Sequence, residues 1–263
     1  MRTLLPFAGA VLAAYLALAA WAFVTQRAQI YFPVPAVERP GAAVLWLESQ
    51  GERIKVWTVV RDGAPALVYF GGNAEEVGAN LDAFAAAFPG HALFLVNYRG
   101  YGGSGGRPSE QALAADALAV FDHVQARHAE VAVMGRSLGS GVAVRLASER
   151  PVSHLVLVTP FDSLVELARE YFRWLPVGLL LRDRYDSAAR ARAVTAPVLV
   201  VIAAEDEIIP RQRAEALVAA FDPARVQVVI EAGVGHNTLD FAPGYLRAVS
   251  AFLAPAAGAV AAE

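Results

Sequence analysis

Residues 131–139 carry the sequence VAVMGRSLG, in which a short apolar run meets a G-x-S-x-G pentapeptide. Four apolar residues typical of a buried strand lead directly into Gly135-Arg136-Ser137-Leu138-Gly139, and a helical pattern then continues to about Arg150. A G-x-S-x-G pentapeptide at such a junction predicts a sharp turn that lifts the serine hydroxyl above a sheet. The two glycines leave room for the strained backbone of that turn. Ser137 is therefore the candidate nucleophile.

The glycine-rich loop at residues 100–106 contains a second match to the same pentapeptide, centred on Ser104. Its spacing also fits G-x-G-x-x-G, which binds dinucleotides when a helix opens directly on the loop and an acid follows the next strand. Here Pro108 separates the loop from the next helix, and the following strand ends in Met134-Gly135. We interpret the loop as a turn near the mouth of the site, and we expect neither an organic cofactor nor a metal.

Outward from residues 131–139, β-rich apolar runs alternate with helical patterns. An opening hairpin is predicted over 44–48 and 54–60, with strands at 67–70, 92–97, 131–134, 155–158, 198–203 and 226–230, and helices near 75–88, 110–128, 138–150, 211–220 and 240–253. This alternation predicts an α/β fold whose mostly parallel sheet is covered by helices on both faces.

A serine hydroxyl needs a base to take its proton, and the base needs a third group to orient it. His236 is the candidate base, because it lies in a loop between the last strand and the last helix. The other histidines, which stand at helix ends, on helix faces or before a strand, are His91, His123, His128 and His154. Asp206, which follows the strand at 198–203, is the candidate acid, with Glu205 and Glu207 as rivals. The order Ser, Asp, His is typical of one class of hydrolase fold.

The oxyanion of such a reaction needs two donors that are in place before charge develops. One candidate is the backbone N–H of Leu138, the residue after the nucleophile. The other is the backbone N–H of Asn73, in the turn Gly71-Gly72-Asn73 after the strand at 67–70. A merely tight turn is the alternative interpretation of these glycines.

Five motifs together resemble the α/β-hydrolase superfamily, and within it the membrane-anchored α/β-hydrolase-domain proteins with one N-terminal span. They are FGGNA at 70–74, NYRGYGGS at 97–104, GRSLG at 135–139, DEIIP at 206–210 and GH at 235–236. The resemblance covers about Tyr31 to Leu253 and implies the α/β-hydrolase fold and a serine hydrolase of carboxylic esters or thioesters, although some relatives are peptidases. Gly71 stands where that family usually has histidine, which is a departure at the oxyanion turn.

The N-terminal segment is uncharged from Thr3 to Gln26 and almost wholly apolar from Leu4 to Val24. At about 1.5 Å per residue, a helix over the apolar run spans a hydrocarbon core of about 30 Å. We favour an uncleaved anchor with the remaining chain on the outer, periplasmic face. A cleaved signal peptide ending near Ala17-Leu18-Ala19, which would make the protein secreted or periplasmic, and a buried core helix are the alternatives.

The predicted organisation is an anchor or signal peptide over 1–27, a proline-containing linker over 28–41, a hydrolase domain over 42–254 and a flexible tail over 255–263. An apolar insert over 161–193 stands where such hydrolases often carry a lid. It is either an acyl-binding or membrane-contacting cap or ordinary helix packing. Its substrate-binding candidates are Phe161, Leu164, Phe172 and Trp174.

Composition narrows the possible functions. Lys and Arg number 22 against 25 Asp and Glu, for a net charge of −3, so nucleic acid is not an expected partner. The absence of cysteine excludes disulfides, thiolate metal sites and a cysteine nucleophile. The expected partners are a small-molecule or lipid-like acyl substrate and, through the N-terminal segment, a membrane. A peptidase and a non-catalytic binding module at the membrane remain as alternatives to the esterase.

Overall fold

The computed structural model describes residues 4–242 and 244–254, and the chain begins with one long helix, α1 (Leu4–Ile30). Residues Phe7–Ile30 form a stretch long and apolar enough to cross a membrane. Large apolar side chains such as Phe7, Leu12 and Val24 are exposed on it, so the helix does not lie in the protein core. The core-helix alternative is therefore wrong, while a membrane span and a signal sequence both fit.

Beyond α1, the described part of the chain contains eight strands, which form a single sheet. They are β1 (Ala43–Ser49), β2 (Glu52–Val59), β3 (Ala66–Phe70), β4 (Ala92–Val96), β5 (Val131–Arg136), β6 (Leu155–Val158), β7 (Val198–Ala203) and β8 (Val226–Glu231), in the order β1-β2-β4-β3-β5-β6-β7-β8. Strand β2 pairs antiparallel with β1 and with β4, and all other neighbours are parallel. The predicted mostly parallel α/β sheet is confirmed.

Helices cover both faces of this sheet. The helices after α1 are α2 (Leu81–Ala87), α3 (Glu110–Gln125), α4 (Leu138–Glu149), α5 (Leu164–Tyr171), α6 (Val177–Leu180), α7 (Ser187–Ala191), α8 (Arg211–Ala220) and α9 (Tyr245–Leu253). On one face, Val68 and Val133 pack with residues of α3, α4 and α8. On the other, Leu67 and Met134 pack with residues of α2 and α9. The strands from β3 to β7 are buried along their whole length, because both of their faces are covered.

The helix predicted over 75–88 differs from the observed one, because α2 begins only at Leu81, after a 3₁₀ turn. The Glu75 carboxylate holds the preceding segment as a loop by accepting from Tyr69 Oη at 2.7 Å and Asn80 Nδ2 at 2.6 Å. The helix predicted over 240–253 is likewise interrupted: a 3₁₀ turn at Leu239–Phe241 precedes α9.

The sheet brings the candidate residues to one edge. Strands β3, β5, β7 and β8 are parallel and end immediately before the turns that carry the predicted site residues. The carboxyl ends of parallel strands meet at a shared edge, where open α/β sheets bind ligands. The predicted domain boundaries remain predictions; residues 1–3 of the anchor and the tail over 255–263 lie outside the described residues.

Candidate active site

Ser137 lies on a strained turn between β5 and α4. Its φ is 51° and its ψ −116°, which is unusual for a residue with a side chain. A methyl group on Gly139 would lie 2.1 Å from the carbonyl oxygen of Phe70, and one on Gly135 would lie 2.2 Å from the carbonyl oxygen of Gly139. The flanking glycines are therefore required by backbone packing, and they let the turn present the serine hydroxyl.

His236 and Asp206 are brought to this hydroxyl from distant parts of the chain. His236 Nε2 lies 2.9 Å from Ser137 Oγ, and His236 Nδ1 lies 2.8 Å from Asp206 Oδ2. Because an ionised carboxylate only accepts hydrogen bonds, this arrangement assigns the imidazole proton to Nδ1 and leaves the Nε2 lone pair for the serine proton. The His and Asp side chains are only 6% and 4% exposed. Such a chain of contacts can activate a serine as a nucleophile.

Asp206 is itself held in place by the backbone that follows it. Its Oδ1 accepts from the N–H groups of Ile208 and Ile209 at 2.9 and 2.7 Å, which leaves Oδ2 for the histidine. The rival acid Glu207 accepts from the backbone N–H of His236 at 3.0 Å. Glu207 thus contacts the main chain of the histidine loop, whereas Asp206 contacts the ring.

Arg136, the residue before the serine, also holds the histidine loop. Its guanidinium donates to the carbonyl oxygen of His236 at 3.1 Å and to the Asp240 carboxylate at 2.6 Å. Sequence reasoning missed this role. The G-x-S-x-G pattern leaves the residue before the serine unspecified, so the motif gives no indication that Arg136 has a role.

Ser104, the other pentapeptide serine, has a structural environment. It is buried; its hydroxyl donates to the carbonyl oxygen of Asn97 and accepts from the N–H of Lys55, both at 2.9 Å. These two bonds tie the glycine-rich loop to the end of β4 and to β2. The structure therefore keeps Ser104 apart from His236, which bonds to Ser137.

The turn after β3 lies against Ser137, since a methyl group on Gly72 would be 3.6 Å from Ser137 Cβ. The Asn73 side chain fastens this turn to the chain leaving α1: its Nδ2 donates to the carbonyl oxygen of Ile30 at 2.6 Å. Its Oδ1 accepts from Tyr101 Oη at 2.8 Å. Burial raises the pKa of Tyr101 to about 12, so the phenol stays protonated and donates. The oxyanion role of the Asn73 and Leu138 N–H groups remains a prediction.

A cavity of about 630 Å³ opens at Ser137. It is lined mainly by apolar side chains of the insert after β6, including the predicted Phe161, Leu164 and Phe172. Trp174 is not among the lining residues and is 52% exposed. A pocket of this size, mainly apolar with a few polar groups, fits a small organic ligand. Over residues 4–242 and 244–254, no group of three or more His, Asp or Glu side chains is placed to hold a metal ion.

Comparison with known proteins places the chain among hydrolases. A family model described as Serine aminopeptidase, S33 matches residues 64–180. An uncharacterized protein of Mycobacterium tuberculosis is 40% identical over an alignment of 245 positions that covers 87% of each chain. Lysophosphatidylserine lipase ABHD12 of Xenopus tropicalis is 29% identical over 207 residues, covering 70% of this chain and 54% of the lipase. The chain thus matches about half of that lipase.

Solved structures show the same fold. Esterase Pf2001 of Pyrococcus furiosus superposes with a TM-score of 0.66 at 17% identity, covering 85% of this chain and 95% of the esterase. Est1E of Butyrivibrio proteoclasticus, solved with ferulic acid, has a TM-score of 0.63 at 16% identity, covering 79% and 95% of the two chains. The sequence relatives and this fold together show that the chain belongs to the α/β-hydrolase superfamily and is a serine hydrolase.

Proposed function

We propose that Ser137, His236 and Asp206 are the catalytic triad of a hydrolase that cleaves carboxylic esters or thioesters through an acyl-enzyme. The observation that carries this proposal is the continuous chain of hydrogen bonds from Asp206 Oδ2 through the imidazole to Ser137 Oγ. Ser137 also lines a mainly apolar cavity, which offers a place for the acyl group.

In the proposed reaction, Ser137 Oγ attacks the substrate carbonyl carbon while His236 Nε2 takes the hydroxyl proton. The N–H groups of Asn73 and Leu138 hold the resulting oxyanion. The tetrahedral intermediate collapses as His236 gives its proton to the leaving alcohol or thiol, and the acyl group stays on Ser137. Water then attacks the acyl-enzyme with His236 again as base, which releases the carboxylic acid and restores the serine. Asp206 orients the ring and stabilises the imidazolium in both steps.

The substrate we propose is a lipid-like acyl ester that contacts Phe161, Leu164 and Phe172. Two observations support it: the cavity is lined mainly by apolar side chains, and one relative is named a lysophosphatidylserine lipase. We further propose that α1 anchors the enzyme in a membrane. That the hydrolase domain lies on the outer face of the membrane stays a prediction.

A peptidase is the second candidate, because the matching family model is described as a serine aminopeptidase. An aminopeptidase needs an acidic group free to hold the substrate amine. Glu207 is the acidic residue among the cavity-lining residues that the structure describes, and its Oε2 accepts from the His236 N–H. A carboxylate that accepts one hydrogen bond can still accept others, so Glu207 is the residue that would hold an amine. The esterase remains the main proposal because the cavity is lined mainly by apolar side chains. Comparing nitrophenyl butyrate with aminoacyl nitroanilides separates the two, and faster hydrolysis of the anilides would establish the peptidase.

The decisive experiment is labelling with a fluorophosphonate probe, which reacts with an activated serine whatever the substrate. We expect wild type and Ser104→Ala to be labelled and Ser137→Ala to be unlabelled, with ester turnover at least about 10³-fold lower in Ser137→Ala. Ser104→Ala is the matched control because Ser104 occupies the other G-x-S-x-G pentapeptide. Labelling that persists in Ser137→Ala would contradict the proposed nucleophile, and a folded wild type that is never labelled would favour the non-catalytic module.

A further inference from the structure

The end of helix α1 is attached to the lid segment over 161–193 by polar contacts to a buried carboxylate. Arg27 donates to both carboxylate oxygens of Asp183, at 2.9 and 3.0 Å. Tyr31 Oη also donates to Asp183, at 3.0 Å, and lies 2.9 Å from Tyr185 Oη. Asp183 is only 2% exposed. Because a buried carboxylate is costly unless it is paired, these contacts specify one position of the helix on the lid.

The contact continues along the helix toward its apolar half. Gln26, which is 7% exposed, donates to the carbonyl oxygen of Leu180 at 3.1 Å and accepts from the N–H of Arg182 at 2.7 Å. Further back, Tyr15 Oη donates to the carbonyl oxygen of Trp174 at 3.0 Å. At 1.5 Å of rise per residue, Tyr15 and Gln26 are about 16 Å apart along the helix axis. The lid therefore lies beside the helix over roughly three turns.

Between the helix and the lid lies the cavity that opens at Ser137. Its wall on one side consists of Ala22, Gln26, Gln29 and Ile30 of α1. Its wall on the other side includes Leu175, Leu180 and Leu181 of the lid. The space thus runs from the candidate nucleophile to the surface of a helix that is apolar and exposed.

We infer that α1 is one wall of an acyl-binding channel, which holds a single-chain acyl ester with its carbonyl at Ser137 and its hydrocarbon end beside Ala22. This inference rests on the proposed function, since it takes Ser137 as the nucleophile. Ala22 has the smallest side chain of the four helix residues in the wall, so it leaves room for the chain. The far end of the channel is next to the apolar surface of α1, which lets a lipid-phase substrate enter without crossing water. In this arrangement α1 limits the length of the acyl chain that fits and also anchors the enzyme.

The test narrows the channel by enlarging a side chain of α1 in the full chain, which is purified in detergent. Ala22→Phe should lower the ratio of kcat/KM for nitrophenyl laurate to that for nitrophenyl butyrate by about tenfold or more, because one or two displaced methylenes account for that factor. Ala20→Phe is the matched control: residue 20 is exposed, it is not among the lining residues, and it is rotated by about 200° from residue 22. We expect its ratio to equal that of wild type.

A ratio unchanged in Ala22→Phe, with butyrate hydrolysis that still depends on Ser137, would overturn the channel and leave the proposed function standing. Butyrate hydrolysis that survives Ser137→Ala would instead overturn the proposed function.

A second measurement covers the case in which Ala22→Phe does not fold. The chain has no cysteine, so Ala22→Cys introduces a single thiol with little change in volume. Reacting Ser137 with dodecyl fluorophosphonate should slow maleimide labelling of that thiol, whereas ethyl fluorophosphonate should not. The Ala20→Cys thiol should be labelled equally fast after either reagent. Equal labelling of Ala22→Cys after both reagents, once both have blocked the serine, would overturn the channel.

Discussion

Replacing Asp206 with asparagine keeps the shape of the side chain and changes which of its atoms can accept a hydrogen bond. In the structure, Oδ1 accepts from the N–H groups of Ile208 and Ile209, and Oδ2 accepts from His236 Nδ1. An asparagine NH₂ group cannot face two N–H donors, so the amide oxygen must take the Oδ1 place. The NH₂ group then faces His236 Nδ1 and donates to it.

This forced orientation puts the imidazole in the wrong tautomer. With Nδ1 as acceptor, the ring proton moves to Nε2, which then points at Ser137 Oγ and cannot take the hydroxyl proton. The corresponding change in a serine protease triad lowers kcat by about 10⁴. We therefore expect Asp206→Asn to lose about 10⁴ in kcat, or about 5 kcal/mol of transition-state stabilisation.

The assay is steady-state hydrolysis of nitrophenyl butyrate, with thermal unfolding as a check on folding. Asp206→Asn should be no more active than Asp206→Ala, although asparagine fits the site better. Glu207→Gln is the neighbouring comparison: its amide oxygen can still accept from the His236 N–H, so its loss should stay below about tenfold. An Asp206→Asn enzyme within about tenfold of wild type would refute the tautomer argument, and a severe loss in Glu207→Gln alone would assign the acid to Glu207.

Two further predictions concern the turn and the histidine loop. Gly139→Ala places a methyl group 2.1 Å from the Phe70 carbonyl oxygen, so it should lower the free energy of unfolding by about 3 kcal/mol and Tm by about 6–12 °C. Gly90→Ala has open space at its Cβ and should leave Tm nearly unchanged. Equal Tm values for the two variants in calorimetry would contradict the close packing. Arg136→Gln removes the charged donor to the His236 carbonyl oxygen, so kcat for nitrophenyl butyrate should fall about 10–100-fold with little change in KM. An unchanged kcat would mean that the histidine loop holds its position without Arg136.

Much of the fold follows from local patterns in the sequence. The strand at 198–203 matches β7 at both ends, and Ser109 caps α3 as a serine before a helix is expected to, by accepting from the N–H of Ala112. The segment at 75–80 departs from its helical pattern. There the Glu75 carboxylate, in bonding to Tyr69 and Asn80, outweighs the intrinsic preference of the chain for helix.

The candidate triad residues were identifiable from the sequence because each follows a strand, and parallel strands end at one edge of a sheet. The contacts between these residues could not be read from the sequence. Ser137 and His236 are 99 residues apart in the chain, and the choice of Asp206 over Glu207 depends on which carboxylate reaches the imidazole ring. Such a choice is made by loop geometry, which leaves no periodic pattern in a sequence.

The sequence alone predicts the fold class, the sharp turn at Ser137 and the apolar N-terminal helix, because each follows from local patterns of neighbouring residues. The tertiary structure was needed to show that this helix packs against the insert over 161–193 and lines the cavity at Ser137. Arg27 and Asp183 are 156 residues apart, and nothing near either residue marks the other as its partner. Their pairing arises because the folded chain buries the carboxylate where one arginine can reach it, and desolvation makes that pairing obligatory.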